Sequence, residues 1–211
     1  MKQPSNRRIY KNAHGERVPG VTTVIGDGLG WSKNSLIAWA HRLGKEGRDL
    51  SERDKAADKG TATHALAWRI LGQDDGTELD DSDIREHEPN ARRVADAILA
   101  RWTIVHVELP IVCETHAGTI DLIVRDKDGR VGVADLKTGK GVYDEVAIQL
   151  GAYAGLYGAH GSIDFAAVIH AHPGEPLSVI DVDRQTLDLG AEAFAHLLAI
   201  YRLKKAIKVK P

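Results

Sequence analysis

Residues 118–153 read GTIDLIVRDKDGRVGVADLKTGKGVYDEVAIQLGAY and contain two apolar segments separated by a polar turn. Asp121 lies inside the first segment, and the second segment ends with Asp135 and Lys137. The turn at 126–129 predicts a hairpin, which makes the two segments neighbouring strands. Two carboxylates and one lysine are therefore expected to converge at the ends of adjacent strands.

This convergence predicts a type of chemistry. Asp135 and Lys137 are two positions apart in a strand, so their side chains leave the same face. Carboxylates hold a divalent cation, the backbone carbonyl of Leu136 is a further candidate oxygen ligand, and the lysine can orient a water molecule or offset negative charge. The pattern favours metal-assisted phosphodiester cleavage. The alternatives are an edge-strand acid facing water at Asp121 and an ordinary surface ion pair between Asp135 and Lys137.

Length and composition predict one domain. The chain has 211 residues, of which 43% are hydrophobic, enough to bury a single core. We expect a core over about 52–182, an N-terminal hairpin and helix over 1–51, and a C-terminal helix with a basic tail over 183–211. The formal net charge of -2 excludes a strongly basic nucleic-acid binder, so contacts with nucleic acid must come from local patches.

The single cysteine, Cys113, excludes an internal disulfide and a four-cysteine zinc or iron–sulfur cluster within this chain. The N-terminal residues MKQPSNRRIY lack the apolar core of a secretion signal, and no apolar run is long enough to span a membrane. We therefore expect a cytoplasmic protein, in a bacterial or phage-infected cell, that has no membrane partner.

The order of predicted elements indicates the fold class. Turn residues at 12–15 predict a hairpin, and helical patterns follow over about 32–44, 52–71 and 90–102. Strands are then predicted over 103–112, 118–125, 130–136, 165–171 and 177–182, with helices over 144–157 and from 184 to about 205. The acidic run at 74–88 is expected to be a solvated loop with a short helical piece. This order predicts an α/β (α+β) domain in which helices pack on a central mixed sheet.

Two of the predicted helices add polar side chains to the strand ends. His64 follows Gly60 by four positions, so both lie on one helix face, and a neutral imidazole is a good transition-metal ligand. A structural histidine in the core is the alternative. Gln149 and Tyr153 are likewise four positions apart on the helix after the second strand, where they can hydrogen-bond a phosphate or a catalytic residue.

Other acids and histidines are further candidates. Glu108 and Glu114 both precede Asp121 and are candidates for another acid beside it, with Glu108 favoured. His170 and His172 share one face of a predicted strand and form a second, less complete metal-binding candidate.

Four short motifs follow one another along the chain: G-x-x-x-H at 60–64, G-x-x-D at 118–121, D-x-K at 135–137 and Q-x-x-x-Y at 149–153. In type and order they resemble those of the PD-(D/E)XK nuclease superfamily, in its RecB-like and Cas4-like exonuclease branch. Residues 18–25 are also similar to the P-S-V-T segment of phage exonucleases and of the mitochondrial genome maintenance exonuclease, with Gly20 in place of the serine.

The resemblance implies a restriction-endonuclease-like core, a central mixed sheet flanked by helices. It also implies Mg²⁺ or Mn²⁺ bound at the positions of His64, Asp121 and Asp135, a catalytic Lys137, and an additional acid at Glu108. Cas4-like relatives often add an iron–sulfur cluster, which a lone cysteine cannot supply.

The function predicted from these residues is that of a metal-dependent DNA exonuclease, acting on single strands or duplex ends in recombination, repair or replication. Recombination or replication proteins are candidate partners besides DNA. An endonuclease on the same core, or an inert DNA-binding module, is the alternative. Phosphate contacts are expected from basic residues, namely Arg7, Arg8, Lys11, Arg17, Lys140 and the C-terminal lysines. Trp31, Trp39 and Tyr10 are candidates for stacking an unpaired base, with burial in the core as the alternative for the tryptophans.

Overall fold

The structure, a computed structural model, describes residues 8–29, 37–38, 40–42, 44–47, 51–73 and 76–207, with only the backbone described over 51–59. Several predictions concern residues outside these ranges. They are those for Arg7, Trp31, Trp39, Lys208 and Lys210, for residues 74–75 of the acidic run, and for much of the helix predicted over 32–44.

The N-terminal half of the described chain is a small hairpin followed by helices. Strand β1 (Tyr10–Lys11) pairs with β2 (Arg17–Val18), as the turn chemistry at 12–15 predicts. Helix α1 (Val21–Gly28) follows, and it lies before the first helix predicted from the sequence, at about 32–44. Val21, Val24 and Ile25 lie on one buried helix face, and this burial stabilises the helix.

The remaining elements are helices and the five strands of one sheet. They are α2 (Ser51–Ile70), α3 (Asp81–Arg101), β3 (Thr103–Val112), β4 (Ala117–Arg125), β5 (Val131–Lys137), α4 (Glu145–Tyr157), β6 (Phe165–His170), β7 (Ser178–Val182) and α5 (Arg184–Ala206). The five strands lie side by side in the order β3-β4-β5-β6-β7. Only β5 and β6 are parallel within this sheet, because α4 carries the chain back across it. The predicted α/β class, a mixed central sheet flanked by helices, is confirmed.

Each face of the sheet is buried under its own set of helices. On one face, Ile123 of β4 and Val133 of β5 join the cluster formed with α1, α4 and α5. On the other face, Leu122 and Ala134 join the cluster formed with α2 and α3. Both central strands are therefore apolar on both sides, and a carboxylate inside them is costly unless a charge compensates it.

Helices α4 and α5 cross at two glycines. A Cβ built on Gly151 would lie 2.3 Å from the backbone nitrogen of Ala191, and one built on Gly190 would lie 2.1 Å from the carbonyl oxygen of Ala147. Only glycine allows this separation, so the crossing fixes how α4 is placed on the sheet.

The prediction for the acidic run is wrong over residues 81–88, which belong to α3 rather than to a loop. Asp80 is the N-cap, and its side chain accepts hydrogen bonds from the backbone nitrogens of Ser82 and Asp83, each at 2.9 Å. Acidic residues in the first turn also favour the positive end of the helix dipole. Pro89 lies inside this helix, so proline did not end it.

Among the described residues, none of the helices combines the length and the apolar character needed to cross a lipid bilayer.

Candidate metal centre

The pairing of strands β4 and β5 ends one residue before Asp121 would lie opposite Asp135. Their last paired residues are Leu122 and Ala134. Beyond that pair, Oδ2 of Asp121 accepts the backbone hydrogen bond of Leu136 at 3.0 Å, in place of a backbone carbonyl. The two carboxylates thus lie at neighbouring strand ends, as the hairpin predicts.

A polar network joins the end of β5 to helix α4. Nζ of Lys137 lies 2.7 Å from Oδ2 of Asp135 and donates to Oε1 of Gln149 at 3.2 Å. Nε2 of Gln149 donates to Oδ1 of Asp135 at 2.7 Å and to the hydroxyl oxygen of Tyr153 at 3.3 Å. Gln149 therefore holds the lysine and the carboxylate together, because its amide both accepts and donates.

Two motif glycines let these elements approach each other. A Cβ on Gly118 would lie 2.6 Å from Cε1 of Tyr153, so glycine makes room for the buried tyrosine ring. A Cβ on Gly60 would lie 3.1 Å from Oγ1 of Thr138, so α2 can lie against the segment that follows β5. Close packing thus explains why the G-x-x-D and G-x-x-x-H motifs carry glycine at these positions.

His64 reaches the same strand ends from α2. Its Nε2 lies 3.0 Å from the carbonyl oxygen of Leu136, and because a carbonyl only accepts, Nε2 carries the proton. Burial lowers the pKa of His64, although the carboxylates of Asp135 and Glu108 oppose that shift. The neutral ring then turns the lone pair of Nδ1 towards Oδ2 of Asp121, 3.8 Å away. Two electron-rich atoms facing each other in this way fit a cation between them.

Glu108 completes this group from β3. It is the one non-glycine residue with a positive φ, 47°, in the described part of the chain. It lies between the pairs Val107–Leu122 and Leu109–Ile120, opposite Asp121. A backbone conformation of this kind is unfavourable for glutamate and re-aims its side chain.

The re-aimed carboxylate of Glu108 accepts a hydrogen bond from Nε1 of Trp68 at 3.2 Å. His64, Glu108 and Asp121 each offer one ligand atom, and these three atoms lie within 4.8 Å of one another. Of the two acids predicted near Asp121, the structure thus brings Glu108 there. Glu114 lies instead at an exposed turn, 3.6 Å from His14.

Burial raises the pKa of all three carboxyl groups, and repulsion from Asp121 adds to the shift of the other two. Burial first, and then the charge of Asp121, raises the pKa of Asp135 to about 6 and also raises the pKa of Glu108. Burial likewise raises the pKa of Asp121, against the opposing effect of Lys137. Burial alone would lower the pKa of the Lys137 ammonium, but Asp135 and Asp121 outweigh it, so this pKa is raised and the lysine stays charged.

The donor set fits a hard divalent cation. Three carboxylates share the site with one close ammonium, so an additional positive charge would relieve their repulsion. Oδ2 of Asp135 is buried and, within the described ranges, accepts no hydrogen bond of good geometry, although Lys137 forms an ion pair with it. Carboxylate oxygens with one imidazole suit Mg²⁺ or Mn²⁺.

Two expected ligands are engaged differently from the other three. Asp135 lies outside the close group of His64, Glu108 and Asp121, because its oxygens face Gln149 and Lys137. The carbonyl of Leu136 accepts the hydrogen bond of His64. A backbone acceptor behind a ligating histidine is the usual support of a metal site. Metal ligation by Asp135 and by Leu136 stays a prediction.

The site opens into a cleft of about 620 Å³ whose lining includes all the acids, Lys137 and Gln149. Further polar residues also line it, and among them Arg8 and Tyr10 both contact Thr119. Nη1 of Arg8 lies 2.8 Å from Oγ1 of Thr119, and the Tyr10 hydroxyl lies 2.9 Å from the same oxygen. Arg8 brings a positive charge, besides that of Lys137, to a mainly acidic cleft.

The other basic residues expected to contact phosphate lie elsewhere. Lys11, Arg17 and Lys140 are exposed and do not line the cleft, and Arg7 lies outside the described residues. Among the C-terminal lysines, Lys204 is paired with Asp27 at 2.7 Å.

The second metal-binding candidate is not assembled. Nε2 of His170 lies 2.8 Å from the carbonyl oxygen of Gly139, and His172 lies 3.5 Å from Glu175. Within the described ranges, neither histidine belongs to a group of three metal-ligating side chains.

Sequence reasoning missed Trp68 and Thr119. Trp68 lies four positions after His64, on the same helix face, and its ring meets the imidazole edge-on with centroids 5.7 Å apart. Thr119 lies two positions before Asp121 and therefore shares its strand face. The same spacing rules that pair the motif residues would have found both.

Comparisons with known proteins give weak structural similarity only. No protein-family model matches the chain, and no curated protein matches it. Among solved structures, the chain is similar to an alkaline exonuclease from Laribacter hongkongensis, with 16% identity and a TM-score of 0.34, over 69% of this chain and 83% of the other. It is also similar to the protein SSO0001, with 17% identity and a TM-score of 0.27, over 65% and 74%. Similarities of this size assign neither a family nor a function.

Proposed function

We propose that this protein is a divalent-metal-dependent deoxyribonuclease that hydrolyses phosphodiester bonds at DNA ends. The observation that carries the proposal is the gathering of Glu108, Asp121, Asp135, His64 and Lys137 around one cleft. These side chains come from three strands and one helix, and burying so much charge together is unfavourable unless the charges are used.

The roles follow from the contacts. His64, Glu108 and Asp121 would hold Mg²⁺ or Mn²⁺, with Asp135 and the Leu136 carbonyl as further ligands. The ion would polarise the scissile phosphate and lower the pKa of a bound water. Lys137, kept charged by its neighbouring carboxylates, stabilises the negative charge that develops on phosphorus and orients the attacking water.

Gln149 and Tyr153 act by positioning. The Gln149 amide fixes the distance between Lys137 and Asp135. Tyr153 is buried, and its pKa is raised well above its ordinary value by burial and then by Asp121 and Asp135, so it stays neutral and orients the amide. Arg8, at the edge of the cleft, is the described basic residue best placed to contact a phosphate.

Action at ends rather than at internal bonds is supported by the order of the four motifs, which resembles that of RecB-like exonucleases. DNA, as single strands or duplex ends, is the proposed substrate, and recombination or replication proteins are the proposed further partners. An endonuclease would need no end, so a covalently closed circle separates the two activities.

The test is digestion of end-labelled linear DNA and of a covalently closed circle, with Mg²⁺, with Mn²⁺ and with a chelator. We expect nucleotides to be released from linear DNA only when metal is present, and the circle to stay intact. Asp135→Ala and Lys137→Ala should each remove the activity while circular dichroism shows a folded protein. Activity that survives both substitutions, or that is unaffected by the chelator, contradicts the proposal.

A further inference from the structure

A second cavity adjoins the metal centre on the far side of Lys137 and Gln149. Its volume is about 280 Å³, and Lys137 and Gln149 line both it and the acidic cleft. The rest of its lining comes from α1, from the start of α4 and from the segment between β5 and α4. Whatever occupies this cavity therefore lies directly beside the group that reacts.

The lining is mainly apolar or small, and differs from that of the acidic cleft. Ile25, Val142 and Val146 supply aliphatic surface, while Gly26 and Gly141 add no side chains to the lining. Tyr143 also lines the cavity and leaves 69% of its surface exposed, an unusual degree of exposure for an aromatic ring. A flat apolar ring system could enter against Tyr143 and be covered by the aliphatic side chains.

The charges around this cavity distinguish a base from a phosphate. Glu145 is the carboxylate in its lining, and it repels anions. Lys137 lies at the junction with the acidic cleft and draws a phosphate to that side instead. Gln149 and Thr22 add hydrogen-bonding groups of the kind that a base edge needs.

We propose that this cavity, the base pocket, binds one unpaired nucleobase next to the scissile phosphate. Its volume lies just below the range of about 300–1,000 Å³ for small-molecule sites, which suits one ring system and excludes a base pair. The inference rests on the proposed nuclease function and deepens it, because a base in this pocket must come from a single strand or from a frayed duplex end.

Gly26 offers a matched pair of substitutions. Gly26 lines the base pocket, and a Cβ built there meets no atom within 4 Å, so a side chain can be added at this position without displacing a neighbour. Gly26→Phe fills the pocket, whereas Gly26→Ala leaves it open, and both replace a helical glycine by a better helix former. Tyr143→Ala and Tyr143→Phe form a second pair at an exposed position, where folding is not at risk.

The experiment measures binding of a short single-stranded oligodeoxynucleotide with 2-aminopurine at its terminus, in the presence of a chelator so that nothing is cleaved. We expect the wild type, Gly26→Ala and Tyr143→Phe to quench the probe and bind it equally. Gly26→Phe and Tyr143→Ala should bind it about tenfold more weakly, which is the size of effect expected for the loss of one stacked base. A blunt duplex should bind all five proteins alike.

Equal binding by Gly26→Phe and Gly26→Ala, or no binding by the wild type, overturns the base pocket. If Gly26→Phe fails to fold, the Tyr143 pair decides in the same way. The readout does not need cleavage. If the protein shows the expected binding pattern but cuts no DNA, the base pocket stands and the nuclease proposal fails. If it cuts DNA but the variants bind the probe equally, the nuclease proposal stands and the base pocket fails.

Discussion

Asp135 concentrates the electrostatics of the site in one residue. Its side chain is only 2% exposed, it lies 2.7 Å from the Lys137 ammonium, and its pKa is raised to about 6. Burial and the neighbouring Asp121 favour the protonated form, whereas a bound cation favours the ionised form. In the proposed site, protons and metal would therefore compete at this carboxylate, and two consequences follow, one for metal affinity and one for stability.

The first consequence concerns metal affinity. Because the cation needs ionised carboxylates, Mn²⁺ should bind at least about tenfold more weakly at pH 5 than at pH 7. The measurement is a fluorescence or calorimetric titration with Mn²⁺ at the two pH values. Asp128→Asn, at an exposed carboxylate outside the site, should show the same dependence. Equal affinity at both pH values would contradict the account.

The second consequence concerns stability without metal, where the sign is opposite. The pKa of Asp135 in the folded protein is raised above the ordinary value of 3.8. The contribution of this group to the free energy of unfolding is therefore fully present below pH 3.8 and is lost as the pH rises through about 6. In a chelator, urea unfolding should show the wild type losing about 2 kcal/mol between pH 4 and pH 7 relative to Asp135→Asn. A difference that does not change with pH would exclude a raised pKa.

In the proposed mechanism, Lys137 is the residue whose charge acts most directly on the reacting phosphate. Lys137→Met should lower the rate of DNA cleavage by about a hundredfold or more, the usual loss when one group that stabilises developing charge is removed. Lys140→Met, at an exposed lysine three positions later, should keep the wild-type rate. Comparable rates for Lys137→Met and Lys140→Met would remove the lysine from the mechanism.

At the scale of elements, the site depends on how closely α4 lies on β4. The ring of Tyr153 occupies the space where Gly118 has no side chain, and Gln149 lies one turn earlier on the same helix. A displacement of the helix thus moves Gln149 away from Lys137 and Asp135.

A substitution on β4 should therefore act through α4. Gly118→Ala places a methyl group 2.6 Å from the Tyr153 ring and should lower the free energy of unfolding by about 1–3 kcal/mol, with loss of cleavage. Gly155→Ala, inside α4 with no atom within 4 Å of its Cβ, should raise it by about 0.5–1 kcal/mol. Urea unfolding of the two variants measures both effects, and similar stabilities would contradict the packing account.

At the scale of the whole molecule, the central sheet and the order of its elements could be predicted from sequence because they depend on local periodicity. The hairpin of β4 and β5, the crossover by α4 and the caps at Asp183 and Gly158 follow from spacing and turn chemistry. The start of α3 could not be predicted in the same way, since acidic residues and Pro89 resemble a loop until Asp80 is seen to cap a helix.

The residues of the candidate site also differ in whether local sequence patterns could predict their positions. Asp121, Asp135 and Lys137 could be brought together from the hairpin alone, because strand spacing determines which faces they share. The position of Glu108 could not, since it depends on an unfavourable φ of 47° and on a hydrogen bond from Trp68, forty residues earlier. Long-range contacts of this kind leave no local pattern in the sequence.

The central claim is that the cleft between these elements binds a divalent cation through His64, Glu108 and Asp121. The most direct measurement is a calorimetric titration of the metal-free protein with Mn²⁺ at pH 7, alongside Asp121→Asn and the exposed control Asp128→Asn. We predict saturable binding to the wild type and to Asp128→Asn, and binding to Asp121→Asn that is weakened tenfold or more, about the loss expected for an altered ligand. Absence of binding to the wild type, or equal binding to all three proteins, would contradict the claim.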